Sequence, residues 1–280
     1  MVDLTALLPF VPLLHSGADV DWRAWTLDPT AIGGILITVG MYFYACDHFT
    51  GRVEGLRALS FVAGMLLILM ALVSPLDAAA GRLLSMHMLQ HVFLTTLGPP
   101  LVLLGLPPVL LGAVLRHRGV HLVRLVTNPI VTAVLFIVTM WIWHVPPVYQ
   151  LALDHREVHM LMHATFLATG LLYWWPVLQP LPEQGSMKEG ARLLYLFATG
   201  FPMELLALLL LASNGVVYEY YNPEPHLWGL APLPDQQIGG LIMGGLGQLA
   251  AFVAITLLFF RYLDQEDARE NALHPPIDAA

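Results

Sequence analysis

Charged side chains are scarce in this chain of 280 residues: Asp, Glu, Lys and Arg make up 11% of it, against 57% hydrophobic residues. Soluble domains carry roughly a quarter charged residues. So thin a supply cannot coat a water-facing surface, and much of the exterior must meet lipid. Basic residues are fewer still, 12 against 20 acidic ones, and they form no stripe, so nucleic acid is excluded as a partner. Cysteine occurs once, at Cys46, which rules out an internal disulfide and any paired-thiolate metal motif. Soft-metal chemistry would therefore fall to histidine, methionine or carboxylate. A phosphate-binding glycine loop is missing too: Gly239, Gly240, Gly244, Gly245 and Gly247 follow no strand and adjoin no Lys-Ser/Thr pair. They read as a small-residue face for close helix packing. There is no inverted repeat of spans and no central row of charges, which argues against a transporter.

What the chain does have is long apolar runs. A membrane-crossing helix needs about 20 mostly apolar residues, and seven segments meet or approach that: 30–46, 57–74, 83–104, 129–145, 157–178, 191–213 and 237–261. The expected fold class is all-α, a polytopic transmembrane bundle. Gly98-Pro99-Pro100 should kink the third span, because proline removes a backbone donor and clashes with the preceding turn. The stretch from Leu106 to Leu115 should run along the interface as a short helix. The apolar but proline-interrupted stretch from Leu4 to Leu14 has no basic residue before it and reads as a retained interfacial segment. The chain divides into an outer or interfacial segment, 1–29, a membrane domain, 30–262, and a flexible tail, 263–280.

With seven spans, nine of the 12 basic residues fall on one side, and Arg23, Arg82 and Arg156 on the other. The positive-inside rule then puts the N-terminus outside and the C-terminus in the cytoplasm. On that placement three spans carry histidines at their outer ends. The third has His87-Met88-Leu89-Gln90-His91, the fifth has His159-Met160-Leu161-Met162-His163, and the fourth finishes at Trp143-His144-Val145-Pro146. Residues four apart lie one above the other on a helix, so each pair presents two imidazoles on one face. Such pairs can ligate one metal ion or line two, and imidazole suits copper, zinc and iron. Ionisable residues inside spans are costly and mark function.

The remaining histidines, His15, His48, His117, His121, His155, His226 and His274, read as interfacial. Met88 and Met160 stand one residue off the histidine faces, a rotation of about 100°, so they read as packing, and Met203 and Met243 likewise. Glu204 lies in the outer half of the sixth span, where an unpaired charge is expensive. It is a candidate ligand or partner of a histidine, or a protonated helix contact. Asp77, before the third span, and Asp235 and Gln236, which open the seventh, read as caps or turn residues. Trp141, Trp143, Trp174, Trp175 and Trp228 read mostly as an interfacial belt.

The motifs Ser74-Pro75-Leu76-Asp77, His87-Met88-Leu89-Gln90-His91, Gly98-Pro99-Pro100-Leu101, Leu104-Gly105-Leu106-Pro107, Trp143-His144-Val145-Pro146, Tyr173-Trp174-Trp175-Pro176 and Asp235-Gln236-Gln237-Ile238-Gly239-Gly240 resemble the CtaG-type cytochrome c oxidase assembly family of bacteria. The resemblance covers about residues 30 to 262. It implies a seven-span protein of the bacterial inner membrane that is needed to make an active haem-copper oxidase and that helps copper reach it. Its expected partners are an oxidase subunit, a periplasmic copper donor and the bilayer. The metal set expected here is His87, His91, His144, His159, His163 and Glu204, with copper as the metal and no catalysis required. Rival readings use the same histidines for a di-metal oxidase or hydroxylase, for a b-type haem held by one histidine from each pair, or for another transition metal. A pure scaffold is the plainest alternative.

Overall fold

The computed structural model describes residues 28–51, 54–115, 125–181, 187–222 and 226–273, with Arg23, Trp25, Thr26 and Val123. The segment from Leu4 to Leu14 lies outside them, as do His15, His117, His121 and His274. Among the described residues the fold is helical with no strand. Each apolar segment satisfies its backbone internally, the only economical solution in lipid besides a closed barrel.

The first span is α1, Pro29–Thr50, with Pro29 opening the helix and the Asp28 carboxylate accepting from the N–H groups of Thr30 (2.8 Å) and Ala31 (3.2 Å). It ends at Gly51, whose φ of 67° suits glycine. Then follow α2, Gly55–Val73, a short α3, Pro75–Ala80, and α4, Leu84–Gly105. After α5, Pro108–Leu115, come α6, Pro129–Trp143, α7, Pro146–Asp154, α8, Arg156–Leu178, and α9, Glu189–Leu211. The last helix, α10, comprises Pro232–Leu241, a π turn at Ile242–Leu246 and Gly247–Leu273.

Six of these helices are long and apolar enough to cross a membrane: α1, α2, α4, α8, α9 and α10. At 1.5 Å per residue, α4 with its 22 residues is about 33 Å long, enough for a hydrocarbon core of about 30 Å. The fourth expected segment is broken: α6 and α7 meet at 75° around Val145. Pro146 and Pro147 explain the break, because neither can donate the backbone bond that would carry α6 onward. The strain expected at Pro99 and Pro100 takes another form. A π turn, Phe93–Leu97, precedes them, with the Gly98 N–H reaching back to the Phe93 carbonyl, and α4 continues as one helix. The acidic tail is helical through Leu273 where a loose segment was expected, and Arg269 pairs with Glu266 one turn back.

Glycines let the central helices touch backbone to backbone. A Cβ on Gly105 would lie 2.5 Å from the Phe61 Cβ, and one on Gly64 would lie 2.8 Å from the Val102 nitrogen, so α2 and α4 are in direct backbone contact. A Cβ on Gly170 of α8 would lie 2.8 Å from the Thr95 carbonyl of α4. Gly240 meets the Ala207 carbonyl of α9 in the same way, whereas Gly245 faces open space. Outward, Leu36, Leu56, Phe197 and Phe252 are between 66% and 81% exposed, a surface suited to acyl chains and costly in water. Trp174 departs from the expected interfacial belt. It is 1% exposed in the core, edge-on to Tyr173.

Candidate metal centre

The buried end of α4 carries His87 and His91, 0% and 2% exposed. Three polar anchors hold this helix in place. The Asp235 carboxylate on α10 accepts from the Leu84 N–H at 2.6 Å and from the Ser85 N–H at 3.2 Å, and the Ser85 hydroxyl donates to it as well. Asp235 is thus a cap, as expected, but of α4 and not of its own helix. Between the histidines, Gln90 donates to the Ala71 carbonyl (2.6 Å) and to the Asp77 carboxylate (3.0 Å). Asp77 also accepts from the Thr26 hydroxyl at 3.0 Å, and burial raises its carboxyl above the ordinary 3.8.

Across from α4, His159 and His163 project from α8 with ring centroids 4.3 Å apart, matching the 4.4 Å between His87 and His91. The two pairs face one another: His87 lies 5.1 Å from His159 and 5.9 Å from His163, and His91 lies 5.7 Å from His163. His144, the residue that ends α6, comes within 5.9 Å of His91. All five imidazoles therefore share one region. Ligand atoms of His87, His91 and His163 all lie within 4.8 Å of one another. A tetrahedral ion with metal–nitrogen bonds of about 2.0–2.1 Å needs its ligands roughly 3.3 Å apart, so closure asks each ring to move by less than about 1 Å.

The unpaired atoms point the same way. Of the eight buried side-chain nitrogens and oxygens without a partner among the described residues, six are ring nitrogens of these histidines: Nε2 of all five, and Nδ1 of His91. A buried polar atom left unpaired costs about 1–3 kcal/mol, and a nitrogen lone pair turned into a shared pocket is what a metal ion would satisfy. Two of the rings have their other nitrogen occupied. His144 Nδ1 donates to the Met140 carbonyl at 2.6 Å, which leaves Nε2 as the lone-pair nitrogen. His87 Nδ1 shares a 2.8 Å hydrogen bond with the Tyr221 hydroxyl.

That tyrosine belongs to a set the spacing of histidines could not reveal. Tyr221 is bonded to Tyr149 of α7 at 2.9 Å, and the Tyr218 hydroxyl donates to the His144 carbonyl at 2.8 Å. Burial pushes the Tyr221 hydroxyl well above its ordinary value of 10.0, so it stays protonated. Gln236 holds their loop by accepting from the Val217 N–H (2.7 Å) and donating to the Gly215 carbonyl (3.2 Å). The signal available in the sequence was the run Tyr218-Glu219-Tyr220-Tyr221 on the histidine side of the bundle.

Glu204 stands apart from the group in which the three histidines converge. It lies on an exposed part of α9 beside Gly244 and hydrogen-bonds Gln248. Met88 is buried against Gly239 and Met160 is half exposed, so neither shares the histidine face.

Helices suited to crossing a membrane, closed at one end over a buried polyhistidine cluster, define a polytopic helical membrane protein with a candidate metal centre. The chain belongs to the cytochrome c oxidase caa3 assembly factor family, whose model matches residues 40–265. It is similar to uncharacterized proteins of Mycobacterium bovis (Mb0105) and Mycobacterium tuberculosis (MT0111), each 24% identical over 267 residues and 88% of this chain, and to one of Mycobacterium leprae (ML1998) at 22%. The chain spans about 40% of the length of those relatives. No solved structure matches it.

Proposed function

We propose that the protein handles copper as cargo during assembly of a haem-copper oxidase, holding the ion at His87, His91 and His163, with His144 and His159 completing the shell. The observation that carries this reading is the convergence of ligand atoms of His87, His91 and His163 within 4.8 Å, in a group of five neighbouring rings whose Nε2 atoms have no partner among the described residues. Imidazole is a good donor for copper in either oxidation state, and an all-neutral donor set both binds and releases a transition metal without a covalent step. Family membership supports an assembly role and a non-catalytic one.

In this reading the bent pair α6–α7 counts as the seventh crossing, the N-terminus lies outside, and the histidine end faces the periplasm of a bacterial inner membrane. The excess of basic residues on the opposite side supports that orientation. A periplasmic donor then supplies the ion and an oxidase subunit in the bilayer receives it. The haem alternative fits the site poorly. The cavity that adjoins the cluster measures about 40 Å³, whereas pockets for cofactor-sized ligands run to roughly 300–1,000 Å³.

The test is metal analysis and optical spectroscopy of the full chain purified in detergent. Stoichiometric copper, lost in a His87→Ala, His91→Ala double variant, is the expected result. Copper affinity unchanged in that variant, or a haem spectrum in the wild type, would overturn the proposal.

A further inference from the structure

Immediately inward of the histidine cluster, between α4, α6, α8, α9 and α10, lies the cavity of about 40 Å³. A site of roughly 10–15 Å³ holds one water, so there is room here for an ion. Three of its walls are methionines from three different helices: Met140 of α6, Met203 of α9 and Met243 of α10. His91 lines it as well, and His91 is buried with both ring nitrogens unpartnered. It is the one residue common to the histidine group and the cavity. Both π turns found among the described residues border this space, one through Thr95 and the other through Met243. Single π turns are uncommon and recur at functional sites. Thr95 is at the middle of α4, so the cavity is near the middle of the span.

We propose that this cavity is a second site, built from the thioethers of Met140, Met203 and Met243, that takes a soft monovalent cation such as copper(I) through His91. Methionine is read by default as packing, but these three, from three helices, line an open space together. Thioether ligands select copper(I) over harder ions. Gln248 on the cavity wall hydrogen-bonds Glu204, which itself lies outside the lining. Glu204 thereby acquires a place beside this site after standing away from the histidines. The direction of passage rests on the copper-handling reading above; the thioether site itself does not.

The test uses the full chain in detergent with silver(I), which is soft, monovalent and stable in air, and zinc(II), which favours imidazole. The wild type is expected to bind zinc(II) and one more equivalent of silver(I) than a Met140→Leu, Met203→Leu, Met243→Leu variant, which keeps its zinc affinity within about twofold. A His87→Ala, His163→Ala variant should show the reverse pattern. X-ray absorption at the silver edge should report sulfur neighbours in the wild type that the leucine variant loses. If the triple variant does not fold, the single Met203→Leu variant should lose part of that sulfur signal. Silver binding unchanged by the leucines, no silver binding at all, or a spectrum of nitrogen and oxygen neighbours alone overturns the proposal. Methionine-dependent silver binding without zinc or copper(II) binding would leave this site standing and sink the histidine one.

Discussion

The Tyr221 hydroxyl lies 2.8 Å from Nδ1 of His87, the nitrogen on the far side of the ring from the unpartnered Nε2. A metal on Nε2 makes Nδ1 a donor, and Tyr221 is then the acceptor that fixes the ring's tautomer and tilt. Removing such a partner typically weakens metal binding by about 10- to 100-fold. Tyr221→Phe should therefore lower zinc or copper affinity by at least about 10-fold, measured by competition with a chromogenic chelator, with the fold intact. Tyr149→Phe, one bond further away, should cost less. Equal affinities in all three proteins would remove the tyrosine from the site.

Asp235 ties α10 to the start of α4 through the Leu84 and Ser85 amides and the Ser85 hydroxyl. Loss of a helix cap costs about 0.5–2 kcal/mol, and this one also sets the height of His87. Asp235→Ala should lower the detergent-state Tm by several degrees and weaken metal binding with it. Asp235→Asn, which keeps one acceptor oxygen, should fall between. A Tm loss with metal affinity preserved would show that the cap serves stability alone.

The helices and the pairing of the histidines on their faces were legible because both follow from local pattern. Apolar runs long enough to span ended within a few residues of the observed α2, α8 and α9, and a spacing of four fixes which residues share a helical face. What one helix does for another was not legible. Asp235 reads as a cap from sequence, but the helix it caps is 150 positions away in the chain. Pro146 and Pro147 announced an end to α6 without giving its 75° turn into α7. Glu204 drew attention as a costly charge in a span, yet its surroundings, Gly244 and Gln248, come from another helix. That Met140, Met203 and Met243 line one cavity was not legible either, since a space between three helices leaves no mark on any one of them.

Gly170 sets the separation between the two histidine pairs. An added Cβ would lie 2.8 Å from the Thr95 carbonyl and 2.9 Å from its Cα, both backbone atoms that cannot swing aside. Gly170→Ala must push α8 away from α4, about one turn from His91 along α4 and two turns from His163 along α8, where those two rings meet. The expected outcome is a lower Tm and metal affinity reduced by about 10-fold or more, comparable to the loss when the partner that orients a ligand is removed. Gly33→Ala is the control, with open space around its Cβ position. It should leave metal binding unchanged, because an added methyl there has nothing to displace. If Gly170→Ala binds metal as the wild type does, the α4–α8 spacing is not what holds the site.

Asp77 offers a pH signature outside the spans. Its carboxyl is raised above the ordinary 3.8, first by burial, against the opposing hydrogen bonds from Gln90 and Thr26, with the nearby Asp28 charge raising it further. A carboxyl raised on folding favours the protonated native state. Its contribution to stability is fully present below 3.8 and lost as pH rises through the higher folded value. Asparagine can replace it without a charge: its oxygen accepts from Gln90 and its amide donates to the Thr26 hydroxyl, which accepts as readily as it donates. Asp77→Asn should therefore match or exceed the wild-type Tm at pH 7, and the advantage should shrink as the pH is lowered toward 4. Thermal unfolding of both proteins across that range checks the sign. A wild type that loses stability relative to Asp77→Asn on acidification would mean that the ionised carboxylate, not the neutral acid, is the form this junction of α3 and α4 prefers.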